Sequence, residues 1–252
     1  MIKLPKRILG TLMVAAALPA AASPLPEAKA RNVVLVHSAL VDGSSWKGVY
    51  DRLTKDGFKV SIVAHTQTDF AADVAATKRI LDQQDGPSVL VGASYGGSII
   101  TQAGDHPNVK SLVYVAAMQP DVGESLVDLS TKIPPISKNL VPDTHGFLSL
   151  DPKVFHADFA ADIPEAQADF LAIGQMPLAV AAASAKTTVA AWRTKPSYAV
   201  LATQDQLIDP KLQRFMYTRG NDKITEIKAS HGVFLSQPAR VAEVIEKAAS
   251  GL

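Results

Sequence analysis

Ser94 stands between Gly92 and Gly96 in the run VGASYGG, directly behind the apolar PSVL and ahead of SIITQAG. Gly-x-Ser-x-Gly between a strand and a helix is the nucleophile elbow, a turn that holds its serine in a strained backbone geometry and so requires neighbours without side chains. A helix starting at Tyr95 would turn its free N–H groups and positive dipole end toward that serine. The pattern alone is weak: at an average of ~7% each for glycine and serine, its three fixed positions coincide about once in ten chains of this length. Placement behind a strand and before a helix is what makes it specific.

A hydroxyl is a poor nucleophile near neutral pH, so it needs a base, and the base needs an orienting acid. After an elbow of this kind the partners follow in the order serine, acid, histidine. Of the histidines at 37, 65, 106, 145, 156 and 231, His37 and His65 precede the serine and His106 falls between the elbow helix and the next expected strand. His145 and His156 lie in a long proline-rich interval, and only His231, in KASHGVFLSQP, follows a C-terminal strand. For the acid, Asp205 in VLATQDQLIDP sits just beyond an expected strand, at the carboxyl edge where such sheets put their sites. Asp121, beyond the preceding strand, is its rival, and Asp209 suits the start of the next helix. An isolated loop aspartate is most often a cap and a lone histidine most often a satisfied structural group. Asp205 and His231 are raised by joint placement, each past the end of a different strand.

Stepping through the chain from Arg31, short apolar runs alternate with helix-period segments, the pattern of a parallel sheet covered on both faces. Strands are expected at 32–37, 58–64, 88–93, 110–116, 197–203 and 223–228, most of them too continuously apolar to face water. Ser45 is expected to cap a helix with Trp46, Val49, Tyr50 and Leu53 on one face, ended at Gly57. Further helices are expected over 71–84, from Tyr95, and from Pro238, where Val241, Val244, Ile245 and Ala248 recur at helical spacing. Residues 119 to about 190 break the rhythm. They hold prolines at 120, 134, 135, 142, 152, 164 and 177 together with Phe147, Phe155, Phe159, Phe170, Met176 and Leu178. An interval of that length reads as an inserted, mostly helical lid.

Composition limits the alternatives. A chain of 252 residues, 47% hydrophobic, supports one sizeable core. With 25 basic against 24 acidic residues, nothing points to nucleic acid or an anionic membrane as a partner. There is no cysteine for disulfides or thiolate metal sites. No phosphate loop, zinc-protease or dinucleotide motif is present, so neither metal nor other cofactor is expected. Residues 1–22 combine a basic end, the apolar ILGTLMVAAAL and the small-residue PAAAS, the plan of a secretory signal peptide. Cleavage is expected near Ala22, giving a periplasmic or secreted protein. The apolar stretch stops at Pro19, short of the ~20 residues of a membrane-spanning helix.

The runs VVLVHSALVDGSSWKGVYDRL, VLVGASYGG, SLVYVAAMQPDVGES, VLATQDQLIDPKLQRFM and ASHGVFLSQP together resemble the α/β-hydrolase superfamily, in its compact branch with plant methyl esterases, hydroxynitrile lyases and bacterial carboxylesterases. The resemblance runs from Arg31 to the C-terminus and implies a mostly parallel six-stranded sheet, helices on both faces and a helical lid. It implies a Ser94–His231–Asp205 triad, with the backbone N–H groups of Ala39 and Tyr95 as the oxyanion hole. It is less specific for substrate; the aromatic residues of the lid suggest a small to medium, mostly apolar ester, and the oligomeric state is left open. Three positions depart from the family pattern. The usual His-Gly is His37-Ser38, placing a hydroxyl beside the oxyanion hole as in the lyases, either in contact with substrate or bonded to backbone. The lysine that follows the catalytic histidine in the lyases is Gly232, which ranks cyanohydrin cleavage below ester hydrolysis. Ala93 stands where many relatives have histidine, and in such an elbow points away from the nucleophile. The remaining alternative is a binding protein that keeps the fold without turnover.

Overall fold

The structure, a computed structural model, describes residues 30–251. The expected signal peptide at residues 1–22 lies outside the described residues. The strands are β1 Asn32–Val36, β2 Lys59–Val63, β3 Ser88–Ala93, β4 Val109–Val115, β5 Val141–Pro142, β6 Phe147–Ser149, β7 Leu178–Ala179, β8 Ser197–Ala202 and β9 Lys223–Ile227. The helices are α1 Lys47–Lys55, α2 Phe70–Asp82, α3 Tyr95–Ala103, α4 Leu126–Lys132, α5 Pro152–Phe159, α6 Glu165–Ile173, α7 Val180–Ser184, α8 Pro210–Arg219, α9 Val233–Ser236 and α10 Pro238–Ser250.

Six strands form one sheet in the order β2-β1-β3-β4-β8-β9, every neighbour pair parallel. The apolar runs of β1, β3 and β8 are fully buried because the period-two alternation of a strand divides them between two cores, while the edge strands β2 and β9 are partly exposed. Val33, Leu35, Val89, Val91, Val113, Val115 and Val200 pack with α1 and α10 on one face. Val34, Val36, Leu90, Leu112, Tyr114 and Leu201 pack with α2, α3 and α8 on the other. The chain runs outward from β1 to β2 and then crosses back to β3 on the opposite side of β1, so the topological switch point lies between β1 and β3. Val36 pairs with Gly92 there, which brings the segment after β1 beside the elbow after β3. In open α/β sheets this crevice is where ligands bind.

Two local expectations change. The first helix is entered through a 3-10 turn at Gly43–Trp46, capped by the Asp42 side chain on the Ser44 N–H, while Ser45 Oγ bonds back to the Asp42 carbonyl. The carboxylate one turn earlier takes the capping role, and the short turn rotates Tyr50 toward solvent while Val49 and Leu53 stay buried. Within 119–190, α4 to α7 are accompanied by a three-stranded antiparallel sheet of β5, β6 and β7. With two or three residues each, those strands are too short for alternation to show in a sequence.

Tight backbone contacts hold the elbow. A Cβ on Gly92 would lie 2.5 Å from the Gly96 carbonyl oxygen, and one on Gly96 would lie 2.7 Å from the Val36 and 2.8 Å from the His37 carbonyl oxygens. Backbone cannot yield as a flexible side chain can, so helix α3 reaches β1 only without these atoms. At the far side of β4, Gln119 Nε2 donates to Asp222 in the α8–β9 turn at 2.8 Å, while Asp222 Oδ1 has no partner among the described residues. Burial pushes the Asp222 carboxyl up to about 7 from 3.8, with the Gln119 bond opposing.

Gly96→Ala is expected to cost at least about 2 kcal/mol in urea unfolding, whereas Gly174→Ala, whose Cβ would meet nothing closer than 3.6 Å, leaves the midpoint unchanged or slightly higher. Between its ordinary value and about 7, Asp222 holds a proton in the folded chain that the unfolded chain releases, so its contribution to stability falls as pH rises through that window. The Tm advantage of Asp222→Asn over wild type is therefore expected to be a few degrees larger at pH 8 than at pH 5. An equal difference at both values contradicts the assignment.

Candidate active site

Ser94 follows β3 and opens α3 with φ +50° and ψ −119°. A left-handed φ at a non-glycine residue costs of order 1–3 kcal/mol and persists only where surrounding bonds enforce it. Here the Ser94 N–H donates to the Val115 carbonyl at 3.2 Å, and its own carbonyl accepts from Gly97 N–H at 2.9 Å and Met118 N–H at 3.1 Å. The elbow is thus strapped to the end of β4, and Ser94 is presented at the N-terminus of α3.

Past β8, Asp205 is buried completely. Its Oδ1 accepts from the Leu207 and Ile208 N–H groups at 2.8 and 2.9 Å, and its Oδ2 from Gln213 Nε2 at 2.8 Å. The remaining interaction is with His231 Nδ1, 2.7 Å from Oδ2. Three donors from the chain's own backbone and α8 fix the carboxylate in one orientation, and the imidazole is aligned against it. Asp121, the rival acid, is engaged elsewhere by Arg193, whose Nε lies 2.8 Å away. Asp209 caps α8 by accepting from the Lys211 N–H.

The lid grips the loop that carries His231. The Gly232 N–H donates to the Phe159 carbonyl at 2.7 Å, and the Phe159 ring meets the imidazole edge-on with centroids 5.1 Å apart. Asp162 accepts from the hydroxyls of Ser230 and of Ser236, the latter at 2.7 Å. A Cβ at 232 would lie 3.2 Å from both Ala160 Cβ and the Phe159 carbonyl oxygen. A larger residue after the histidine requires this part of the lid to give way.

Ser94 and His231 open on one cavity of about 240 Å³, lined also by Ser38, Ala39, Leu40, Met118, Leu126, Val127, Ser130, Thr131, Pro135, Leu140, Leu148, Phe159, Leu178, Leu207 and Ile208. Its walls are mostly aliphatic and come from α4, the lid strands and the loops after β1 and β8. Ser38 lines this cavity, and its hydroxyl is also committed to the Ala39 carbonyl at 2.9 Å. Ala39 follows it in the loop after β1, and Tyr95 is the first residue of α3. Both expected oxyanion donors therefore flank the β1–β3 crevice. Ala93 is buried in the core on the α1/α10 side of the sheet.

A buried polar group beneath this crevice escaped the sequence reading. Asp73 on α2 accepts from the Thr66 and Gln67 N–H groups and from the Tyr95 hydroxyl, the last at 2.9 Å. Gln67, at φ +63°, donates from Nε2 to the Ser38 and Val41 carbonyls and accepts from the Leu40 N–H. The His37 and His65 rings stack with centroids 3.6 Å apart. Burial and the neighbouring His65 bring the His37 pKa down to about 4, keeping that ring neutral at ordinary pH. Burial opposes the charge on Asp73, yet the His65 ring, the Tyr95 hydroxyl and the Thr66 N–H hold its carboxyl below the ordinary range. The only sequence hint was two histidines, His37 at the last position of one expected strand and His65 just beyond another; Gln67 and Asp73 carried none.

A carbendazim-hydrolysing esterase from Nocardioides sp. (strain SG-4G) is 33% identical over 119 residues, covering 41% of this chain and 49% of that protein, so the match spans about half the length of that relative. Among solved structures, a pyrethroid hydrolase from Sphingobium faniae JZ-2 superposes with a TM-score of 0.69 at 22% identity, covering 86% of this chain and 96% of that one. A methylesterase from Arabidopsis superposes with a TM-score of 0.72 at 19% identity, covering 88% and 99%. These likenesses agree on the fold. The profile described as alpha/beta hydrolase family matches residues 33–244, nearly the whole described sheet domain, and the protein belongs to the alpha/beta hydrolase family.

Proposed function

We propose that this protein is a metal-free serine hydrolase of the carboxylesterase type, acting on small to medium, mostly apolar esters. The observation that carries the reading is the 2.7 Å bond between His231 Nδ1 and Asp205 at the wall of the cavity that also holds Ser94. With Nδ1 donating its hydrogen to the carboxylate, Nε2 is left as the basic nitrogen. His231 takes the Ser94 hydroxyl proton as the oxygen attacks the acyl carbonyl, and returns it to the departing alkoxide. Asp205 favours the charged imidazole that forms between those steps. The Ala39 and Tyr95 N–H groups receive the oxyanion, and water then repeats the cycle on the acyl-enzyme.

A cavity of about 240 Å³ is below the usual range of roughly 300–1,000 Å³ for drug-sized ligands. It suits a short acyl or alkyl group, with the rest of a larger ester left outside. The names of the relatives, which refer to carbendazim, pyrethroids and methyl esters, place such compounds first in a substrate screen. Ser38 gives hydroxynitrile cleavage a foothold, but its hydroxyl hydrogen is directed at the Ala39 carbonyl and Gly232 supplies no cation for cyanide. Ester hydrolysis is favoured for that reason. We further assign the protein to the periplasm or the exterior, on the charge and hydropathy plan of residues 1–22.

A p-nitrophenyl ester chain-length series is expected to show an optimum at short acyl groups, with Asp205→Asn about ten-thousand-fold slower and Ser94→Ala about a million-fold slower. A fluorophosphonate is expected to label Ser94 in the wild type. Equal rates in wild type and Ser94→Ala overturn the mechanism, and no labelling together with no turnover supports a binding role. For localisation, the full chain expressed in a bacterial host is expected to yield a mature N-terminus close to Ala22 by mass spectrometry. An intact Met1 in the cytoplasmic fraction contradicts export.

A further inference from the structure

Asp73 touches neither the cavity nor the three proposed triad residues, yet both proposed oxyanion donors are tied to it. On one side, its Oδ2 accepts the Tyr95 hydroxyl at 2.9 Å, anchoring the side chain of the residue whose own N–H faces the elbow. On the other, its Oδ1 accepts the N–H groups of Thr66 and Gln67 at 3.0 and 3.2 Å, fixing Gln67 in its left-handed conformation. From there the Gln67 amide reaches the Ser38 and Val41 carbonyls at 3.3 and 3.0 Å and the Leu40 N–H at 3.3 Å, closing the loop that carries Ala39. Asp73 is buried, and a carboxylate out of water is retained only where its partners are fixed.

We infer that Asp73 is a positioning residue that sets the spacing of the oxyanion hole, one oxygen holding the Tyr95 side and the other, through Gln67, holding the Ala39 side. The spacing matters because donors aimed at a developing oxyanion act only at hydrogen-bond distance from where that charge will sit. Tyr95 is held in the first turn of α3 whereas Ala39 sits on the loop after β1, so the spacing of the two donors depends on what ties that loop to the helix. The inference rests on the proposed ester hydrolysis and refines how its transition state is held.

The test compares wild type, Asp73→Asn and Tyr95→Phe, with active sites counted by end-point fluorophosphonate titration so that misfolded protein is left out. An alkyl trifluoromethyl ketone, whose tetrahedral serine adduct carries an oxyanion, serves as the second probe. Per titrated site, Asp73→Asn is expected to lose at least about ten-fold in kcat with KM within about two-fold, and ketone affinity is expected to fall in parallel with kcat/KM. Tyr95→Phe, which severs one arm only, is expected to lose less in the same pattern. A purely structural role lowers Tm or the titrated fraction and leaves kcat per site and ketone affinity unchanged, and that result overturns the inference. If Asp73→Asn does not fold, Tyr95→Phe decides by the same two readouts. A wild type that neither reacts with the phosphonate nor turns over esters refutes the proposed function instead, so the two failures are distinguishable.

Discussion

The grip of two N–H groups, from Gly97 and Met118, on the Ser94 carbonyl governs the rest of the site. Without it a serine at φ +50° relaxes toward the broad allowed regions, and the hydroxyl leaves the cavity. The grip in turn requires α3 to pack against β1 and β4 at distances that only glycine permits. Strain recurs nearby: among the described residues, the non-glycine positions with positive φ are Leu40, Gln67, Ser94 and Ala116, which follow the carboxyl ends of β1, β2, β3 and β4, and Asn221, which precedes β9. Such clustering is the usual mark of a site whose geometry is set by its surroundings rather than by local preference.

Buried polar groups supply that setting. Asp205 and Asp73 are both buried carboxylates, and each is held by several donors, backbone N–H groups among them. They do different work. Asp205 spends its last acceptor site on His231, so its negative charge faces the proposed base. Asp73 divides its contacts between the Thr66–Gln67 backbone and the Tyr95 hydroxyl at the start of α3. The ring beside it is that of His65, whose Nδ1 lies 3.7 Å from Asp73 Oδ2, and the neutral His37 stacks on that imidazole.

Much of this was readable in the sequence. The six long strands, the elbow and the order of Ser94, Asp205 and His231 follow from apolar runs and from residues placed just beyond them. Gln67 and Asp73 were not readable, because their partners are backbone groups of segments that meet only once the sheet is wound. Asp73 in particular lies in the first turns of a helix, where an acidic residue is ordinary. The Asp42 cap was missed for a smaller reason: Ser45 offered an equally good cap three residues on. The β5–β7 sheet of the lid carries too few residues per strand for any periodicity.

The clasp between the lid and the histidine loop shapes how the enzyme can diversify. Phe159 and Asp162 bond to residues on both sides of His231, so the α5 corner cannot swing away without carrying the base with it. Val127 and Thr131, on α4, border the same cavity and face solvent. Descendants of this chain can therefore reshape the cavity by drift along α4, whereas position 232 and its neighbours across the clasp are bound to change together or not at all.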